Sequence, residues 1–95
     1  MPKTWTFLSH HAHVLILLAR NPEATIDNLA AACGVTSRSI VSILNDLEAD
    51  SYIARERVGR NNRYSINTDG PLRHQTSSRH TVGDLIEALG SFEDA

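Results

Sequence analysis

Apolar residues at helical spacing indicate two short helices in the first third of the chain. The first extends from Ser9 to Arg20, because the Ser9 hydroxyl can cap its start and Pro22 stops it. The second begins at Thr25, whose hydroxyl can likewise cap a helix. It ends at Gly34, since glycine readily adopts the positive φ that closes a helix.

The same spacing predicts a third helix immediately afterwards. Thr36 can cap it, and the helical pattern continues to about Asp50. The second and third helices each carry one apolar stripe that we expect to be buried. These stripes are Ile26, Leu29, Ala30 and Cys33 in the second helix and Ile40, Ile43, Leu44 and Leu47 in the third.

The remainder of the chain indicates a β-hairpin, a polar connection and a last helix. Strands are predicted over Ile53–Val58 and Arg63–Asn67, joined by a Gly-Arg-Asn-Asn turn. Asp69-Gly70-Pro71 interrupts this pattern, and the polar residues 73–80 predict an irregular segment. Thr81 and Asp84 have the spacing of a capping box in its Asp variant. They open a helix that Gly90 closes.

Composition places this pattern in one small globular domain of 95 residues. Its formal net charge of −2 means that any affinity for nucleic acid must come from local charge. Positive charge is concentrated in the hairpin, which contains four arginines and a single acid, Glu56. Arginine can bind phosphate or guanine through two parallel hydrogen bonds, so the hairpin tip is a candidate contact surface.

The sequence gives little support for a catalytic site or a metal site. No motif brings a nucleophile, a base and oxyanion donors together, so we expect neither an enzyme nor a cofactor. The single cysteine, Cys33, excludes an internal disulfide and a multi-cysteine metal site. His10 and His13 lie one helical turn apart, but two imidazoles alone make a poor metal site. The apolar run over residues 12–19 is too short to span a bilayer, which favours a cytoplasmic protein without a membrane partner.

The spacing of the second and third helices resembles the helix-turn-helix of bacterial transcription regulators. Ala30 is small where two helices must cross, Gly34 lies at the turn, and Ile40 anchors the next helix. The hairpin that follows resembles the wing of winged-helix regulators of the MarR and ArsR kind. The resemblance covers residues 9–67. It implies a mainly α fold with a two-stranded β wing, in which residues 1–72 form the winged helix-turn-helix and residues 73–95 form the polar connection and C-terminal helix.

In this family the helix after the turn enters the major groove of duplex DNA, and the wing contacts phosphate or the minor groove. The resemblance assigns to that helix Thr36, Ser37, Arg38, Ser39, Val41, Ser42 and Asn45. It assigns to the wing Arg57, Arg60, Asn61, Asn62 and Arg63. Arg38 could bind guanine, Asn45 adenine and Val41 a thymine methyl group. A solvated helix and hairpin surface is the alternative for both sets.

Two apolar surfaces have no evident partner within the domain. Residues 14–18 are all apolar and cover the whole circumference of the first helix, and the last helix carries a further apolar stripe. A symmetric homodimer would bury both surfaces and suit a palindromic DNA site. The alternative is that the last helix packs onto its own domain. The candidate dimer contacts are Trp5, Phe7, Ile16, Val82, Leu85, Ile86 and Leu89.

Together these observations predict a sequence-specific, homodimeric DNA-binding regulator of transcription. The alternative is a winged-helix module that uses the same basic wing to bind an acidic protein. Small polar side chains on the third helix favour DNA, since a protein-docking face more often carries exposed aromatic or large aliphatic residues. The sequence does not identify the operator or a small-molecule effector.

Overall fold

The computed structural model describes residues 5–89, which form four helices and one two-stranded antiparallel sheet. In chain order the elements are α1 (His10–Arg20), α2 (Ile26–Cys33), α3 (Ser37–Ala49), β1 (Ile53–Val58), β2 (Asn61–Ile66) and α4 (Val82–Leu89). This architecture confirms the predicted winged helix with an additional C-terminal helix. No helix within the described residues is long and apolar enough to cross a membrane.

The first three helices begin at the predicted caps. The hydroxyls of Ser9, Thr25 and Thr36 each accept a hydrogen bond from the backbone N–H three residues further on, at 3.2, 3.0 and 3.1 Å. At Thr25 the Asn28 side chain also accepts from the cap backbone, which completes a capping box. Gly34 closes α2 with a φ of 71°, a conformation that other residues adopt only with strain.

The core lies where α1, α2 and α3 meet the base of the sheet. The predicted stripe of α3 is buried at all four positions, and Ile40 is fully buried. In α2, Leu29 and Ala30 are buried, whereas Ile26 and Cys33 are partly covered at the edge of the core. The spacing of apolar residues therefore predicted the inward face of both helices correctly.

The hairpin turn is shorter than the sequence indicated. Val58 pairs with Asn61 and Ile53 with Ile66, so only Gly59 and Arg60 remain in the turn. Gly59 has a φ of 62°, and a two-residue turn with glycine first matches the right-handed twist of the strands. The prediction that Asn61 and Asn62 belong to the turn was wrong, because the two-residue glycine turn extends strand pairing through both.

The last helix has a partner within the domain that its sequence did not reveal. Val82 is 1% exposed and belongs to the core, and its backbone N–H donates to the Gly70 carbonyl at 2.8 Å. The N–H of Gly83 donates to the Thr68 carbonyl at 2.8 Å, and α4 packs against α1. The expectation that this stripe lacks an intradomain partner was therefore wrong for Val82 and Ile86, both of which pack within the domain.

The predicted capping box of α4 is present. The Thr81 N–H donates to Asp84 Oδ2 at 3.0 Å, and the Asp84 N–H donates to Thr81 Oγ1 at 3.2 Å. The hydrogen bond from the Thr81 backbone, followed by one with the His80 side chain, lowers the pKa of Asp84 below its ordinary value. The predicted end of this helix at Gly90 lies outside the described residues.

Because the folded state holds the Asp84 pKa low, this cap stabilises α4 above the ordinary aspartate pKa of about 3.9 and is lost as the pH falls further. We expect amide hydrogen exchange in α4, corrected for its intrinsic pH dependence, to accelerate relative to α3 over that range. Asp84→Asn should remove this pH dependence. A variant that keeps the same profile would show that Asp84 is not the titrating group.

Candidate nucleic-acid interface

The outward face of α3 presents the side chains expected to contact DNA. Ser37, Arg38, Ser39, Val41, Ser42 and Asn45 are all exposed and lie opposite the buried stripe. Val41 is 41% exposed, which leaves a methyl-sized apolar contact on a polar face. The combination of one arginine, one amide, small hydroxyls and one valine can meet each chemical group of a major-groove base edge.

Hydroxyl groups at the start of α3 are engaged within the protein. Thr36 Oγ1 accepts from the Ser39 N–H and donates to Ser39 Oγ at 3.0 Å, so Thr36 acts as the helix cap. Ser37 Oγ donates to Asp27 Oδ1 in α2 at 3.1 Å. Sequence reasoning missed Asp27, because nothing in the local pattern indicates a bond across the turn. Arg38, Ser42 and Asn45 have no side-chain hydrogen bond within residues 5–89, so their polar atoms remain available.

The wing distributes its polar residues over two faces and a tip. In the strand register, Arg57 lies opposite Asn62 on one face of the hairpin, whereas Arg63 lies opposite Glu56 on the other face. Arg60 lies in the turn, and Arg57 Nε donates to the Gly59 carbonyl at 3.2 Å. Asn62 is partly buried, while the three arginines and Asn61 are exposed. Guanidinium groups therefore project from both sides and from the tip of the hairpin.

Some arginines of the chain bind carboxylates within the protein, and others in the described residues do not. Arg55 binds Glu48 at 3.1 Å and Arg73 binds Asp50 at 2.5 Å. Arg38, Arg60 and Arg63, in contrast, have no carboxylate partner among the described residues. No salt bridge within residues 5–89 engages these three guanidinium groups, so they are available to an external anion such as a phosphate.

The candidate dimer contacts are only partly available at the surface. Ile16 and Val82 are covered within the single chain, so neither offers much surface to a partner. Trp5 and Phe7 are 61% and 92% exposed and contact each other edge to face, with ring centroids 5.0 Å apart. Leu85 and Ile86 are half-buried, and Leu89 is 38% exposed. The exposed apolar surface is therefore formed by the N-terminal aromatic pair and the outer side of α4.

Neither the histidines nor the cysteine forms a metal centre in the described part of the chain. No group of three or more His, Cys, Asp or Glu side chains with metal-binding geometry occurs in residues 5–89. The His10 and His13 rings are 6.3 Å apart. Burial raises the pKa of the Cys33 thiol, which disfavours the reactive thiolate and fits a packing role for this residue.

A cavity of about 630 Å³ lies between the start of α1, the end of α3 and the segment after the wing. Its walls are mainly apolar, and its lining residues include the hydrogen-bonded His11 and Asp46 and the ion pair of Arg73 with Asp50. None of the proposed DNA contacts of α3 or the wing lines it. The cavity and the candidate interface are therefore separate surfaces.

A sequence model of the MarR family matches residues 6–63, which is more than half of the chain. The chain belongs to the MarR family. Regulators of the MarR family are transcription factors and not enzymes, so the expectation that this chain is not an enzyme is confirmed. A comparison with curated proteins found no match.

Solved structures of MarR-type regulators share this fold. MepR, a transcription regulator of the Staphylococcus aureus multidrug efflux pump MepA, is 20% identical with a TM-score of 0.60. ZitR from Lactococcus lactis in complex with DNA is 15% identical with a TM-score of 0.59, and a ZitR mutant in complex with DNA is 22% identical with a TM-score of 0.59. The matches cover 85%, 94% and 94% of this chain. They cover 53% of MepR and 58% and 64% of the two ZitR chains, so this chain spans about half to two thirds of their length.

Proposed function

We propose that this MarR-family protein regulates transcription by binding duplex DNA in a sequence-specific manner. The observation that carries the proposal is the set of arginines on α3 and the wing that have no carboxylate partner within residues 5–89. Two arginines outside the candidate interface, Arg55 and Arg73, are neutralised by carboxylates. Arg38 on α3 and Arg60 and Arg63 on the wing have no such partner in residues 5–89. In a protein with a net charge of −2, these unpaired guanidinium groups give α3 and the wing a local positive charge that is suited to bind a polyanion.

In the proposed complex α3 lies in the major groove with its N-terminal half towards the bases. Arg38 donates two hydrogen bonds to guanine, Asn45 pairs with adenine, and Val41 contacts a thymine methyl group. Ser42 and Ser39 are small enough to let the helix backbone approach the groove floor. Thr36 and Ser37 support this arrangement through the helix cap and the bond to Asp27 rather than by contacting bases.

The wing contributes affinity in this proposal, and α3 contributes sequence preference. Arg60 at the tip and Arg57 and Arg63 on opposite faces contact phosphates or the minor groove beside the α3 site. Asn61 and Asn62 assist as neutral donors. Phosphate contacts carry no sequence information, so the two elements have separable effects on binding.

We further propose that the protein binds DNA as a homodimer. Trp5, Phe7, Leu85, Ile86 and Leu89 supply the apolar surface that remains available for a second copy. A symmetric pair would present two α3 helices to a palindromic site.

Arg38→Ala tests the assignment of base contact to α3. We expect it to weaken binding at the preferred site by about 1–3 kcal/mol while leaving affinity for random duplex nearly unchanged. Fluorescence anisotropy titrations with both duplexes at one salt concentration measure the two effects. Arg73→Ala is the matched control, because it removes the same charge from an arginine that is already paired with Asp50. Equal losses on both duplexes would assign Arg38 to the DNA backbone and contradict its reading role.

A further inference from the structure

The C-terminal end of α3 carries three acidic residues where a helix dipole disfavours negative charge. No basic residue lies in the last turn to compensate them. Each acid instead contacts a basic side chain from a different part of the molecule. The pairs are Asp46 with His11 of α1 at 2.9 Å, Glu48 with Arg55 of β1 at 3.1 Å, and Asp50 with Arg73 after the wing at 2.5 Å. Only the Glu48 pair joins α3 to the wing.

Arg55 occupies an unusual position for a charged side chain. It lies on the inner face of the hairpin, opposite the buried Tyr64, with its guanidinium carbon 5.7 Å from the centroid of the Tyr64 ring. Its side chain is 29% exposed, and Nε is buried without a hydrogen-bond partner within the described residues. An unpaired buried N–H is unfavourable, and an apolar side chain could pack on Tyr64 without it. Stability alone would therefore not favour arginine at this position.

We propose that Arg55 is a positioning residue that fixes the angle of the wing relative to α3 through its ion pair with Glu48. This inference rests on the proposed function, since its purpose is to let α3 and the wing tip contact one duplex together. Arg55 is suited to the task because its stem packs in the hairpin while its guanidinium reaches the last turn of α3.

The geometry of the hairpin makes this angle important at the tip. Arg60 follows Arg55 by five residues, which at about 3.3 Å per residue places the tip roughly 17 Å from the ion pair. A rotation of about 10° at Arg55 would therefore move the tip by roughly 3 Å, given that strand rise. Hydrogen bonds from arginine to phosphate do not tolerate such a displacement. One ion pair at the base of the wing can thus decide whether Arg60 reaches its phosphate.

A double-mutant cycle measures this dependence in the full chain. Arg60→Ala is combined in turn with Glu48→Ala and with the matched control Asp46→Ala, which removes the same charge from the same end of α3 but breaks the pair with α1. We expect the affinity loss caused by Arg60→Ala to persist in the Asp46→Ala background and to become much smaller in the Glu48→Ala background. In the Arg55→Lys background, Arg60→Ala should still cause most of its loss of affinity. In the Arg55→Met background, Arg60→Ala should cause no further loss, and Arg55→Met should not lower the melting temperature.

A second measurement requires no DNA. Spin labels attached at Ser42→Cys and Arg60→Cys in a Cys33→Ala background report the distance between α3 and the wing tip. Pulsed electron paramagnetic resonance measures this distance. We expect the distance distribution to broaden or shift with Glu48→Ala and to remain unchanged with Asp46→Ala. The proposal would be overturned if Arg60→Ala caused the same loss of affinity in the Glu48→Ala and Asp46→Ala backgrounds and if the two variants gave the same distance distribution. If Glu48→Ala changes the distribution but Arg60→Ala has no effect on DNA binding in the otherwise unaltered protein, the positioning role stands and the proposed DNA contact of the wing fails.

Discussion

Replacing Arg60 and Arg63 together by alanine is expected to weaken binding to the preferred site and to random duplex DNA by similar factors. Both guanidinium groups are exposed and lack a carboxylate partner among the described residues, so each is free to displace a counterion from a phosphate. Each lost phosphate contact should reduce the slope of log K against log salt by about 0.9, and two should reduce it by about 1.8. Titrations of both duplexes at several salt concentrations measure affinity and slope together.

The matched control for this prediction removes two arginines from the segment between the wing and α4. The Arg73→Ala and Arg79→Ala double variant lowers the net charge by the same amount without altering the hairpin. Its slope should remain close to that of the unaltered protein. If both double variants lose the same affinity and show the same reduction in the slope of log K against log salt, overall charge rather than the wing accounts for binding.

Ending the chain before Thr81 is expected to destabilise the whole domain. This truncation removes Val82, which is 1% exposed and part of the core, the half-buried Ile86, which packs against that core, and the half-buried Leu85. Complete burial of one such side chain stabilises a fold by about 1.5–3 kcal/mol, and the total stability of a small domain is about 5–15 kcal/mol. Urea unfolding monitored by circular dichroism should therefore show a much lower midpoint.

Two point variants separate the folding role of α4 from its proposed role in the dimer. Val82→Ala should lower the unfolding midpoint, whereas Leu89→Ala, at a position 38% exposed, should leave monomer stability unchanged and weaken self-association. Sedimentation velocity over a range of concentrations reports the second effect. A truncated chain that is as stable as the full chain would contradict the packing of α4 on α1. A truncated chain that still sediments as a dimer would exclude α4 from the interface.

Local signals in the sequence predicted the helices well, because helix boundaries depend on neighbouring residues. The capping hydroxyls of Ser9, Thr25 and Thr36 form the expected hydrogen bonds, and Gly34 adopts the expected positive φ. The hairpin was predicted less accurately. Its turn depends on the strand pairing register, and two consecutive asparagines shortly after a glycine indicate a turn more strongly than a strand.

Features that depend on distant residues could not be predicted. Hydrophobic spacing showed that Val82 faces a buried surface, but not whether that surface belongs to the same chain or to a second copy. The candidate interface has the same limitation. The exposed face of α3 follows from helical periodicity, whereas the bonds from Ser37 to Asp27 and from Arg55 to Glu48 join separate elements and have no sequence signature.

Selection from a pool of random duplex DNA tests the central claim, sequence-specific binding, most directly. The purified full chain is incubated with the pool at near-physiological salt, and bound fragments are amplified and sequenced over several rounds. We predict enrichment of one palindromic motif with half-sites about 34–36 Å apart, the spacing of one helical turn. The Arg38→Ala variant should recover this motif less well or with a changed base at one position. Retention of DNA without any enriched motif, or no retention at all, would contradict sequence-specific recognition by α3.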